Sequence, residues 1–247
     1  MKVLLTIVLF GLVGVAYADN EIDAKVAAAL ADESRPAEDR MRDRNRRPLD
    51  TLTFFGLKDD MRVLELFPGG GWYTRVLAHV LADNGKLYVA LGTSTVSKKV
   101  LPLPGFEQVE VLTTSDNLHR PDGSRHYVMD DFEFGVSELD MVVTFRNLHN
   151  FDAGTREKMN RQVFAALRSG GLYGVIDHTA RHMEPANHEN RRRIDPVTVI
   201  KELLDSGFQF VDHTDLHYRA DDELVYEVGR RSVSGNTDRF TLLFRKP

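Results

Sequence analysis

The chain contains no cysteine among its 247 residues and a single tryptophan. Without thiols there are no disulfides, no thiolate metal site, no cysteine nucleophile and no cysteine to carry a lipid. The fold therefore rests on its apolar core. No Lys-Ser or Lys-Thr pair follows the glycine cluster at 69–71, which excludes a P-loop, and no Gly-x-Ser-x-Gly elbow supports a serine hydrolase. A basic excess is missing as well. Lysine plus arginine number 32 against 37 acids, a formal charge of −5, which argues against a nucleic-acid partner, whose phosphates demand a basic face. Internal repeats and low-complexity tracts are absent.

Long apolar runs are missing too, with one exception. Met1-Lys2 is followed by an uncharged stretch from Val3 to Ala18 that ends Ala16-Tyr17-Ala18. A charged start, a short apolar centre and an Ala-x-Ala end are the parts of a secretory signal peptide. The run falls short of the roughly 20 apolar residues of a membrane span. It predicts cleavage after Ala18, export to the periplasm or the exterior, and no stable membrane insertion afterwards. A cysteine-free chain suits an oxidising compartment. The expected organisation is a leader over 1–18, a helical extension over 19–48 and one α/β domain over 49–247.

The most informative stretch is Val63 to Ala78. The apolar run Val63-Leu64-Glu65-Leu66 leads through Phe67-Pro68 into Gly69, Gly70 and Gly71. An amphipathic pattern then places Tyr73, Val76, Leu77, Val80 and Leu81 at helical spacing. Strand, glycine turn and helix let main chain approach a nucleotide-like ligand, because a Cβ would block the approach or forbid the turn. Further strands are predicted over Lys86–Leu91, Val109–Leu112, Leu139–Phe145, Leu172–Ile176, Phe208–Val211 and Phe240–Phe244. Asp152 or Thr155 caps an intervening helix that Ser169-Gly170-Gly171 stops, and Asp195-Pro196 opens another. Strands alternating with helices predict a doubly wound, mostly parallel sheet.

This pattern resembles the class I S-adenosylmethionine-dependent methyltransferases, and within them the exported predicted methyltransferases. Four segments carry the likeness: the strand and glycine loop at 63–71, Asp-Met-Val-Val-Thr-Phe-Arg-Asn-Leu-His-Asn at 140–150, Leu-Arg-Ser-Gly-Gly-Leu-Tyr-Gly-Val-Ile-Asp-His at 167–178, and the closing Thr-Asp-Arg-Phe-Thr-Leu-Leu-Phe-Arg-Lys-Pro. The resemblance implies a seven-stranded Rossmann-like sheet with an antiparallel final pair, S-adenosyl-L-methionine as cofactor and methyl transfer to a small molecule or envelope component. Glu65, Gly69 and Gly71 would border the methionine part, with Phe67, Gly70 and Tyr73 beside them. The hydroxyl of Thr93 or Ser94 would face the ribose, and Asp130 or Asp131 the adenine, with Phe132 against its ring. Two positions depart from the family pattern. Phe67 stands where the first glycine is usual. After Leu91 the chain reads Gly92-Thr93-Ser94-Thr95, with no carboxylate for the ribose hydroxyls; neutral hydrogen bonds there are weaker by roughly half.

Catalytic candidates sit at the ends of adjacent strands: Asn147 and His149 after the fourth, Asp177 and His178 at the fifth. Histidine titrates near neutrality and suits a general base. The same positions suit structural roles, and a binding module that has lost the transfer reaction is the alternative. A hydrolase built on Asp177, His149 and a metal is a third. The pairs His178/His182 and His213/His217 have metal-like spacing, but on strands and loops the spacing does not put both on one face, so no metal is expected. Between Glu38 and Arg47 five arginines interleave with Asp39 and Asp43. That stretch reads as a solvated helix or as a lid bringing arginine to an anionic substrate. Arg191-Arg192-Arg193 reads as a solvated turn or a substrate clamp.

Overall fold

The computed structural model describes residues 13–115 and 117–247, with side chains from residue 21 onward. Residues 1–12 of the expected leader lie outside the described residues. No helix among the described residues is long and apolar enough to cross a membrane.

Helix α1 (Val13–Ala31) is followed by two single turns, α2 (Ala37–Arg40) and α3 (Asp43–Arg46), and by α4 (Pro48–Phe54). The sheet then begins with β1 (Arg62–Leu66), α5 (Trp72–Val80), β2 (Lys86–Ala90), α6 (Ser94–Lys99), β3 (Glu110–Leu112) and β4 (Leu139–Phe145). It finishes with α7 (Ala153–Ala166), β5 (Leu167–His178), α8 (Pro196–Asp205), β6 (Gln209–Thr214) and β7 (Arg239–Arg245). The seven strands form one sheet in the order β3-β2-β1-β4-β5-β7-β6. All neighbours pair parallel except β7, which runs antiparallel to both β5 and β6. The mostly parallel sheet and its antiparallel final pair are those expected from the sequence.

Alternation along the strands assigns the two faces. Val63, Met141 and Val143 face α1, α4 and α5, packing with Ile22, Val26, Phe55, Val76 and Leu77. Leu64, Leu66 and Val142 face the opposite layer with Met159, Val163, Val199 and Leu203 of α7 and α8. Each such side chain contributes about 1.5–3 kcal/mol by leaving water. The predicted caps are in place: Asp152 accepts from the Thr155 N–H and Asp195 from the Val197 N–H.

Three elements differ from expectation: β6 runs on past Val211 to Thr214, and β5 and α6 depart further. β5 starts at Leu167, before the glycines, not at Leu172. A Cβ on Gly171 would lie 2.9 Å from the Arg168 carbonyl oxygen and 3.0 Å from that of Leu139. The glycine therefore lets the strand pass close to β4 through the register shift between Leu139 and Met141. Helix α6 was not anticipated, because Ser94–Lys99 is short and polar and only Val96 is buried.

Candidate functional site

Strand order reverses between β1 and β4, and in doubly wound sheets the crevice beyond the carboxyl ends at that point is where ligands sit. A cavity of about 340 Å³ opens there, lined by Glu65, Phe67, Gly69, Gly70, Tyr73, Asn147, His149 and His178, with Asp39, Arg42, Arg46, Arg146 and Arg192 on its walls. The topology thus brings together candidates from three different strand ends.

The glycine turn has two sides. A Cβ on Gly70 would meet nothing within 4 Å, and one on Gly69 only the Phe67 carbonyl oxygen at 4.0 Å, so main chain is bare toward the cavity. Gly71 faces the interior instead. Its φ is 79° and a Cβ would lie 2.7 Å from Val100 Cγ2, so glycine is needed there for close packing of the segment after β2. Trp72, the residue after it, is held at the edge of the cavity: its Nε1 donates to the Asp39 carbonyl at 2.9 Å, and Arg35 and Arg46 lie 5.3 Å and 4.4 Å from its ring centroid. Tyr73 stacks on Phe145 at 3.5 Å.

Glu65, next to last in β1, lies on the α5 side, where Thr74 Oγ1 donates to it at 2.5 Å. Burial pushes its carboxyl up to about 7, against the opposing influence of Thr74 and Arg46. Phe67 holds a left-handed φ of 52°. Its ring packs 4.9 Å from that of Phe151, and a Cβ on Gly92 would meet it at 3.3 Å. Phe67 and Trp72 both border the cavity and neither closes it above Gly69 and Gly70.

Asp177 is fully buried beneath the opposite wall. It accepts from His149 Nδ1 at 2.5 Å, from the His149 N–H at 3.1 Å and from the His178 N–H at 2.7 Å. A carboxylate only accepts, so it fixes the proton on Nδ1 and leaves His149 Nε2 as the unengaged ring nitrogen of a cavity-lining residue. His178 Nδ1 meets Thr237 Oγ1 at 2.9 Å. Burial, then the charges of His149, Arg239 and Arg146, hold its imidazole well below the usual histidine range. Asn147 donates from Nδ2 to the carbonyls of Phe145 at 3.0 Å and Phe67 at 3.5 Å. Its amide nitrogen therefore ties the ends of β4 and β1 together, and its Oδ1 is left for a ligand.

Besides Gly71 and Asp177, which stand behind its wall, three predicted residues do not line this cavity. Thr93 is the residue before α6. Asp130 accepts from Asn117 on the surface, and Asp131, largely exposed, faces Lys158 at 3.4 Å. Phe132 is buried against Phe134. The sequence reading missed Arg146 and Arg239 as site residues. Arg146 has no ion-pair partner among the described residues and a left-handed φ of 65°. Of the paired histidines, His217 is engaged through both ring nitrogens, with Thr241 and the Arg46 carbonyl, and His213 is exposed.

No protein-family model matches the chain, and no curated protein matches it. Solved structures do. A SAM-dependent methyltransferase from Aquifex aeolicus matches with a TM-score of 0.58 at 19% identity, over 90% of this chain and 97% of that one. The glycopeptide N-methyltransferase MtfA complexed with S-adenosyl-L-homocysteine gives 0.54 at 15% identity over 82% and 90%. The [4+2]-cyclase SpnF gives 0.54 at 15% identity over 95% of each chain. At such identities the likeness is one of architecture: the chain has the Rossmann-like fold of the class I methyltransferases.

Proposed function

We propose that this chain is an exported S-adenosylmethionine-dependent methyltransferase acting on a small molecule or an envelope component. One observation carries the reading. The bare main chain of Gly69 and Gly70 and the His149–Asp177 pair border the same cavity at the strand-order reversal. The first suits the amino-acid end of the cofactor, with Glu65 as acceptor for its ammonium. The second suits removal of a proton from an acceptor. The cofactor supplies an already activated methyl group, so alignment provides most of the rate and a general base adds about 10²–10⁴. Export rests on the leader-like residues 1–18.

The residues fit the two halves of the cofactor unequally. The methionine half finds open main chain. The adenosyl half would lie toward Gly92, where the Phe67 ring stands and where no carboxylate follows β2. Phe67 must swing off Gly92 for the whole cofactor to seat. Calorimetric titration of the purified chain with S-adenosylmethionine and S-adenosylhomocysteine tests the reading, with heat and a rise in Tm expected. Absence of both with either compound sinks it.

The Phe67–Gly92 contact also favours a second reading, a binding module that retains the fold without the transfer. SpnF, a [4+2]-cyclase, has a similar fold, so architecture alone does not specify methyl transfer. Cofactor binding with no label passed from methyl-labelled S-adenosylmethionine to any component of a cell-envelope extract would favour the module.

A further inference from the structure

The cavity continues outward into a second chamber of about 440 Å³, walled by Arg42, Arg46, Arg146, Arg192 and Arg239. Elsewhere this chain neutralises the arginines it buries. Arg35 meets Asp43, Arg75 meets Asp39, Arg156 meets Glu202 and Arg193 meets Asp222. Two buried arginines break the pattern, Arg46 and Arg239, 5% and 6% exposed. Neither has an acidic partner among the described residues, and both line this cleft. Arg42 and Arg146 beside them are equally unpaired, whereas Arg192 is held by Glu227.

A buried cation without a counter-charge is strongly unfavourable; the Trp72 ring 4.4 Å from Arg46 and the Asn45 carbonyl that accepts from Arg239 at 2.9 Å carry no full negative charge, so the cluster needs an anion. Burial first, then the repulsion of Arg146, drives the Arg46 guanidinium down to about 8, and burial with Arg146 drives Arg239 to about 10. Arginine keeps its proton in proteins, so the cluster is relieved by an entering anion and not by deprotonation. The acids at hand do not suffice: Asp39 serves Arg75, Glu65 is held by Thr74 and pushed toward neutrality, and Asp177, whose charge reaches Arg146, is taken up by three donors of His149 and His178. S-adenosylmethionine does not suffice either, because its sulfonium and ammonium outnumber its one carboxylate.

We infer that the cleft walled by Arg42, Arg46, Arg146 and Arg239 binds a second ligand, a small molecule carrying a multiply charged oxyanion. The guanidinium fork matches phosphate and carboxylate oxygens two at a time. That this anion is the methyl acceptor rests on the proposed methyltransferase activity; its binding does not.

The test is calorimetric titration of the full purified chain at pH 7 and low chloride, without S-adenosylmethionine. Inorganic pyrophosphate and citrate are the two probes, with acetate at matched ionic strength as the reference. Pyrophosphate or citrate is expected to bind at least about tenfold more tightly than acetate, and their ranking separates a phosphate from a carboxylate ligand. Arg42→Gln and Arg146→Gln, both unpaired and therefore safe for folding, should each weaken binding by about tenfold. Arg161→Gln, exposed on α7 and paired only with Glu157, should not change it. Affinities equal to that of acetate, or unchanged in both cleft variants with native circular dichroism, overturn the inference. Anion binding without cofactor binding leaves it standing and removes the methyltransferase reading, and the reverse result does the opposite.

Discussion

Replacing Asp177 by asparagine tests the hydrogen-bond geometry at the centre of the site. Three donors converge on a fully buried carboxylate: the His149 N–H on Oδ2, and His149 Nδ1 and the His178 N–H on Oδ1. Asparagine keeps one acceptor oxygen and brings two donors. If its oxygen stays at the Oδ1 position, the amide faces the His149 N–H. If it flips, the imidazole can switch tautomer to accept, but the His178 N–H is left facing the amide. Either way one main-chain N–H is orphaned without access to water, which costs about 1–3 kcal/mol. For a chain of this length, roughly 2–4 °C of Tm accompany each kcal/mol. Thermal and urea unfolding of both proteins at pH 7 should therefore show an unchanged m-value and a drop of about 3–10 °C. Methyl transfer should fall further than stability, by about 10²–10⁴, because His149 loses the group that fixes its tautomer. An asparagine variant within about 0.5 kcal/mol of the parent, a typical neutral surface change, would refute the three-donor arrangement.

Glu65→Gln should change how stability depends on pH. The folded carboxyl is raised from 4.5 to about 7, so its ionisation in the folded state is opposed: the parent should lose up to about 3 kcal/mol as pH rises from 4.5 through 7, and the variant should lack that slope in urea titrations at several pH values. Gly71→Ala should destabilise by about 2–4 kcal/mol in urea unfolding, from the Val100 clash and the left-handed φ, whereas Gly70→Ala should leave stability within about 0.5 kcal/mol and weaken S-adenosylmethionine binding in calorimetry. Phe67→Gly should relieve about 1–2 kcal/mol of backbone strain while losing the contact with Phe151; a near-neutral unfolding midpoint and tighter S-adenosylmethionine binding are expected, and weaker binding would show that Phe67 does not obstruct the adenosyl side.

The sheet was legible because its central strands are buried on both faces. Leu139–Phe145 is a strongly apolar run, broken only by Asp140 and Thr144, with the same bounds in sequence and structure. The neighbourhood of His149 and Asp177, 28 positions apart, followed from strand adjacency alone. The N-terminal arginines were not decidable from sequence. The pattern from Glu38 to Arg47 fits a solvated helix equally well, and only docking of the segment through Trp72 and the Arg35–Asp43 pair turns Arg42 and Arg46 toward the cavity. Arg146 was not legible either, because a lone arginine after a strand usually finds an acid, and nothing local signals that none will arrive. Thr93, Asp130 and Asp131 were placed by resemblance; here Phe67 occupies the approach to Gly92, and the loop carrying the two acids packs through Met129, Phe132 and Phe134.

The two edges of the sheet bear different loads. At the amino ends of β1 and β4 the charges close on one another: Asp140 accepts from the Arg62 N–H at 2.8 Å and from Arg168 Nε at 2.7 Å, and the Arg62 guanidinium is taken up by the Ser137 and Glu138 carbonyls. At the carboxyl ends, Phe67, Leu91 and Arg146 directly follow β1, β2 and β4, and each holds a positive φ, against Glu138 alone before β4 at the other edge. Each such residue costs of order 1–2 kcal/mol. Two buried, unpaired arginines add to the same edge. Strain and uncompensated charge persist where a bound partner offsets them, and the sign of that charge is wrong for a sulfonium alone. The edge therefore calls for two guests of opposite charge, and each should strengthen binding of the other.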